Sequence, residues 1–182
     1  MEHGLVLSGF GGQGLLFAGQ IVAQAAVLER RNVSWLPSYG PEMRGGSAAC
    51  TVIVSDRPIG SPVLDQAEVV IALNPPAMAK YAALLAPGGL LVLNDSLIEA
   101  EPGRSDVEIV RIPASALART IGDERFISIV ALGAALGRRP IVSPGAFRQA
   151  LGAVGKGGRA VTEANLEAFA AGSHAAGQLA TA

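Results

Sequence analysis

Apolar residues along the chain group into short dense runs separated by longer stretches at helical spacing. The runs at Leu5–Leu7, Val33–Leu36, Ala48–Val54, Val69–Leu73, Leu90–Leu93 and Val107–Ile112 predict β-strands. VVIAL, residues 69–73, is apolar at every position, as in a parallel strand covered on both faces. Between these runs, Leu16, Ile21, Val22, Ala25 and Val27 approach a helical repeat and predict a helix from Gln13 to about Glu29. Pro75 and Pro76 suit the first turn of a second helix, running through Leu85, because a proline there loses no helical hydrogen bond. Pro87–Gly88–Gly89 is expected to end it, and DRPIGSP reads as a turn or an edge.

Beyond residue 112 the pattern turns helical: Ala114–Ile121, Phe126–Leu136, about Pro144–Val154 and about Glu163–Ala171. Ser143 and Thr162 stand where N-caps are expected, and HAAGQLATA reads as a frayed tail. Strand and helix alternate over the first two thirds. This predicts one three-layer α/β/α domain over residues 1–182, with a Rossmann-like start and a mostly parallel, mixed sheet.

Composition narrows the function classes. Hydrophobic residues make up 50% of the 182 and charged residues only 16%, which suits a subunit covered by other chains better than a free monomer. The net charge is -1 with no basic block, which argues against a nucleic-acid surface. The single cysteine, Cys50, leaves no internal disulfide and too few thiolates for an iron–sulfur cluster, which takes about four. The longest nearly uninterrupted apolar run, FISIVALGAALG, falls short of the roughly 20 residues that span a bilayer. A strand-like LVLSG near the start leaves no room for a signal peptide, so a cytoplasmic location away from the membrane is expected.

SGFGGQG places Gly9, Gly11 and Gly14 in a G-x-G-x-x-G spacing between a strand and a helix. Such glycines let a backbone approach phosphate, and the helix N-terminus adds free N–H groups. A dinucleotide also needs a carboxylate near the end of the second strand. That strand ends at Leu36 and Pro37 without one, and Glu29 falls on the preceding helix. Two other readings stand: a tight turn for packing, or a turn that approaches an anionic ligand or a neighbouring subunit's cofactor, with Gly12 and the Gln13 amide beside it.

Residues 38–46, SYGPEMRGG, carry more chemistry than a plain connection needs. Tyr39, Gly40, Pro41, Glu42, Met43, Arg44, Gly45 and Gly46 are expected to meet a ligand or partner on the edge that holds the glycine turn. Tyr39 and Met43 would supply apolar contact, Arg44 a fork for carboxylate or phosphate, and Gly45–Gly46 close backbone approach. The competing reading of Glu42 and Arg44 is a surface pair that pins the loop, worth at most about 1 kcal/mol. Elsewhere, Cys50 reads as a buried inert thiol, His3 and His174 as too isolated for a metal, and Asp95 as a helix cap at the sheet edge. GAVGK, with Lys156 and Arg159 nearby, lacks the spacing of a phosphate loop and reads as a solvated turn.

Taken together, GFGGQG, PSYGPEMRGGSA and the following SDRPIGSP resemble the gamma subunit of 2-oxoacid:ferredoxin oxidoreductases, most strongly over residues 8–62. NLEAF, residues 165–169, is similar to the family's ending. The resemblance implies an accessory subunit of an enzyme that converts a 2-oxoacid and coenzyme A to acyl-CoA and carbon dioxide while reducing ferredoxin. Thiamine diphosphate, Mg²⁺ and iron–sulfur clusters would then sit in partner alpha and beta chains, with a ferredoxin-like delta chain in some complexes. None would be held by this chain alone, which has no GDG segment for the cofactor's metal and would supply no catalytic residue. The PSYGPEMRGG version is most similar to the 2-oxoglutarate and branched-chain types, and 2-oxoglutarate is the expected substrate. Pyruvate and indolepyruvate types, or a stand-alone nucleotide-binding protein, are the alternatives. Where the family often has asparagine before an ALGAL helix, this chain has Ser128.

Overall fold

The computed structural model describes residues 1–40, 46–155 and 157–178. Six strands form one sheet in the order β2-β3-β1-β4-β5-β6. They are β1 (Glu2–Phe10), β2 (Asn32–Tyr39), β3 (Ser47–Ser55), β4 (Ala67–Ala72), β5 (Leu85–Asn94) and β6 (Glu108–Ile112). The helices are α1 (Leu15–Leu28), α2 (Pro75–Tyr81), α3 (Ala114–Ile121), α4 (Ile127–Arg138), α5 (Pro144–Val154) and α6 (Gly158–Gln178).

The sheet is mixed, as its pattern predicts. β1, β4, β5 and β6 run parallel, whereas β3 pairs antiparallel with both β1 and β2. The larger core lies between the sheet and α1 with α3–α6, around Leu5, Leu7, Val52, Ile71, Val92, Ile129 and Phe147. A smaller core under α2 gathers Val6, Val70, Leu91, Leu93 and Met78. The continuous apolar runs of β4 and β5 follow from this, because each face meets a helix layer. No helix among the described residues is long and apolar enough to cross a membrane.

Caps set two helix starts where proline predicts them. Ala77 N–H donates to Asn74 Oδ1 at 2.9 Å ahead of Pro75, and Ala146 N–H donates to Ser143 Oγ at 3.2 Å ahead of α5. Against the back of the sheet, α4 and α6 cross at glycine. A Cβ on Gly133 would overlap Phe169 O, and one on Gly172 would overlap Val130 O.

Four expectations change. The helix opened by Pro75 stops at Tyr81, and after a 3-10 turn at Ala82–Leu84 the chain already enters β5 at Leu85. Pro87–Gly88–Gly89 is therefore inside the strand. The pairing jumps from Ala67–Leu85 to Val69–Leu90, and Gly88, at φ 74°, lies in the extra length as in a bulge. Thr162 is no cap; it lies within α6, where its hydroxyl donates to Gly158 O at 3.1 Å. The stretch from His174 to Gln178 is the last turn of α6 rather than a frayed tail, because Ala176 is buried in the larger core. Asp95 is exposed, and Asn94 does the capping beside it, accepting from Ser115 N–H at 3.1 Å and donating to Leu73 O at 3.2 Å.

Candidate functional site

With β3 antiparallel between them, β1 and β2 point the same way and end on the same edge of the sheet. The glycine turn follows β1 and the SYGPEMRGG segment follows β2, so the two motifs meet there. Two backbone bonds fix the meeting. Gly11 N–H donates to Gly46 O at 2.9 Å, and Gly40 N–H donates to Ser47 O at 2.9 Å. Pro41, Glu42, Met43, Arg44 and Gly45 lie outside the described residues.

The turn itself is shaped by its glycines. Gly12 has φ 98° and Gly14 φ 78°, the left-handed region that other residues enter at a cost of about 1–2 kcal/mol. Gly14 is the N-cap of α1 and no side chain caps that end, so among the described residues no side chain takes the first N–H groups of α1. Gln13 folds back instead of reaching outward: its Oε1 accepts from Phe10 N–H at 2.7 Å. Gly9 is buried, with Leu73 Cβ 3.0 Å from where its own Cβ would be.

Beside the turn opens a cleft of about 610 Å³. Gly11, Gly12 and Gly14 form one side with Leu16 and Phe17 of α1. Tyr39 and Gly46–Ala48 form the second. Arg125–Phe126, the α5–α6 connection (Val154, Gly155, Gly157) and Val161 and Asn165 of α6 close the third. Of the sequence candidates, Gly11, Gly12, Gly14, Tyr39 and Gly46 line it, whereas Gly9, Gln13 and Gly40 do not. The third wall was missed by sequence reasoning. Its signals were present as NLEAF, which contains Asn165, and as the glycines of GAVGKGG, read there as a plain turn.

The chemistry of the described lining is sparse. Tyr39 and Arg125 are its ionisable side chains. Arg125 is held by Asp123 through Nη2–Oδ2 at 2.6 Å and Nε–Oδ2 at 2.9 Å. That bond keeps the Asp123 carboxyl below the usual carboxylate range and the guanidinium above its own. Among the described residues no group of three or more His, Cys, Asp or Glu converges. These side chains do not fit a Mg²⁺–diphosphate or an iron–sulfur cluster. Cys50 is buried behind the cleft with its Sγ 3.3 Å from Leu15 O, and desolvation pushes its thiol up to about 12. It is an inert thiol, as expected. His3 pairs with Glu68 at 2.6 Å and His174 with Gln178 at 2.9 Å. Arg159 is on the first turn of α6 and pairs with Glu163 at 2.8 Å. Ser128 sits directly beneath the turn, its Oγ 2.8 Å from where a Gly14 Cβ would be; it is fully buried, with no hydrogen-bond partner among the described residues.

Comparison with known proteins agrees with this geometry. The family model described as pyruvate ferredoxin/flavodoxin oxidoreductase matches residues 4–175. The chain is 38% identical over 169 residues to ketoisovalerate oxidoreductase subunit VorA of Methanothermobacter thermautotrophicus, spanning 92% of this chain but 35% of that protein. It is 34% identical over 183 residues to 2-oxoglutarate synthase subunit KorC of Methanocaldococcus jannaschii, spanning 98% of this chain and 96% of that one. A solved keto/oxoacid ferredoxin oxidoreductase gamma subunit from Geobacter sulfurreducens superposes with a TM-score of 0.85 at 33% identity, over 98% of both chains. The 2-oxoglutarate:ferredoxin oxidoreductase of Magnetococcus marinus, solved with 2-oxoglutarate, coenzyme A and succinyl-CoA, gives a TM-score of 0.86 at 28% identity. That match covers all of this chain and 32% of the other.

Proposed function

Because the chain belongs to the pyruvate ferredoxin/flavodoxin oxidoreductase family, we propose that it is a single gamma-type domain of a 2-oxoacid:ferredoxin oxidoreductase. The reaction is 2-oxoacid plus coenzyme A to acyl-CoA, carbon dioxide and a proton, with two electrons passed to ferredoxin. The observation that carries this reading is the cleft: a formed, glycine-rimmed opening at the two motifs whose described lining lacks the groups to run the reaction. Thiamine diphosphate with Mg²⁺ and the clusters belong in this reading to alpha and beta chains, or to a ferredoxin-like delta chain, and no step is routed through them here. This chain shapes the shared chamber. The uncapped start of α1 presents N–H groups beside the cleft, Gly12 keeps the approach open, and Tyr39 offers an apolar rim. Pro41–Gly45, including Arg44, would complete that rim against a partner. The working location is the cytoplasm.

For the substrate, 2-oxoglutarate is supported by the match to KorC along nearly its whole length. The higher identity to VorA supports the branched-chain alternative, 2-ketoisovalerate. A dinucleotide of its own is disfavoured, since β2 ends at Ser38–Tyr39 without a carboxylate for the ribose.

The test is reconstitution with the alpha and beta chains encoded in the same genome. Ferredoxin reduction that depends on coenzyme A and 2-oxoglutarate, and disappears when this chain is omitted, is expected. Partners that are fully active without it sink the reading. Faster turnover of 2-ketoisovalerate than of 2-oxoglutarate moves the assignment to the branched-chain type.

A further inference from the structure

Strand β2 is one of the two edges of the sheet, β6 being the other. It runs eight residues, NVSWLPSY, without a charged side chain. Exposed edges are ordinarily blunted by lysine, charge or shortness, because unpaired N–H and C=O groups invite another chain. Here Pro37 is the one such device. The Gly40–Ser47 bond and the alternation of an antiparallel ladder settle which groups are free. Asn32, Ser34, Leu36 and Ser38 turn their peptide groups towards β3, so Val33, Trp35, Pro37 and Tyr39 turn theirs outward. Among the described residues no hydrogen bond reaches the outward N–H groups of Val33 and Trp35. Pro37 has no N–H, so pairing stops after Trp35.

Apolar side chains bracket this half of the edge on both faces. Trp35 is 38% exposed, Leu36 43% and Val27 54%. The Trp35 indole nitrogen lies 3.1 Å from where a Cβ on Gly19 would be, over α1. Val27 lies two turns beyond Gly19 on α1 and about 80° round the helix from it, while Leu36 alternates to the opposite face of the sheet.

The domain makes up 35% of VorA and 32% of the Magnetococcus chain, whereas KorC is a separate subunit matched over 96% of its length. The same fold is therefore joined in one polypeptide to a remainder about twice its size in some proteins and is a subunit by itself in others. An uncharged edge with two free amides suits such a permanent partner better than solvent. We propose that β2 is a docking edge for the polypeptide equivalent to the remaining two thirds of VorA. An extended segment of that polypeptide adds to Val33 and Trp35 and packs on Trp35, Leu36 and Val27. The inference rests on the subunit reading above.

The chain is purified alone and with the polypeptide of its own genome that matches the remainder of VorA. Binding is measured by calorimetry, and amide exchange is followed residue by residue by NMR. Wild type binds, and Leu36→Asp, confirmed folded by circular dichroism, binds at least about 30-fold more weakly, as expected of a desolvated apolar anchor. The Val33 and Trp35 amides exchange at least about tenfold more slowly in the complex. Glu68→Gln, on β4 and three strands in from the β2 edge, leaves affinity within about twofold, as expected of a residue outside the interface. Should Leu36→Asp fail to fold, Val27→Asp on the α1 surface takes its place with the same expected loss. Wild type that does not bind overturns the subunit reading itself. Binding by wild type with an undiminished variant, or with Val33 and Trp35 amides unslowed, overturns the docking edge alone. A dimer of the isolated chain that Leu36→Asp disperses also overturns it, because the occupant is then a second copy.

Discussion

At the α4–α6 crossing, Gly133 and Gly172 let two backbones touch; in the turn before α1, no described residue meets the place where a Gly12 Cβ would be. Each crossing glycine stands where a methyl group would strike a carbonyl, Phe169 O for Gly133 and Val130 O for Gly172. Among the described residues nothing lies within 4 Å of where a Gly12 Cβ would be, although its φ of 98° also calls for glycine. The first pair serves packing inside this chain. Gly12 has no such packing role among the described residues, and the proposed function gives its space to an approach from outside. Gly14 lies between the two cases, with positive φ and with Arg125 O 2.6 Å from its would-be Cβ.

Three substitutions put that contrast to work. The largest effect is expected for Gly172→Ala, which must push α4 and α6 apart. It should lower the unfolding free energy by about 3 kcal/mol or more, read from urea melts, and a loss under about 1 kcal/mol would show that the crossing has slack. Gly12→Ala should cost the folded chain only about 1–2 kcal/mol for its backbone angle. In the reconstituted complex it should nevertheless cut coenzyme A-dependent ferredoxin reduction at least about tenfold, because it fills an approach that transition-state geometry depends on. Unchanged turnover would mean that the open space holds only solvent. The smallest effect belongs to Ser128→Ala, beneath Gly14. Removing a buried hydroxyl that has no partner should leave stability unchanged or raise it by up to about 1 kcal/mol. A clear loss would reveal a partner for that hydroxyl, such as a bound water.

Much of the fold is readable because its signals are local. The apolar runs of β4 and β5, the proline after Asn74 and the Ser143 cap depend only on neighbours in the chain. The errors have a common cause in distant packing. Alanine- and glycine-rich HAAGQ has weak helix signals, yet α4 holds it in place through Gly172 and Ala176. Asp95 and Asn94 are indistinguishable as cap candidates until the alternation of β5 turns Asn94 inward to Ser115. Leu85 joins a helix by pattern and a strand by pairing with Ala67.

The candidate site divides the same way. Gly11, Gly12, Gly14, Tyr39 and Gly46 are legible because unusual residues are concentrated in two short stretches. By itself the sequence determined the alternating α/β plan, the absence of a thiolate set for clusters, and the two motifs that mark the family, all properties of composition and short-range order. Only the tertiary structure decided that an antiparallel β3 brings those motifs to one edge, where Gly11 bonds Gly46. It also decided that residues from 125 to 165 wall the cleft and that β2 is left uncovered. These follow from which surfaces the helices bury, a sum over contacts far apart in the chain that no local pattern contains.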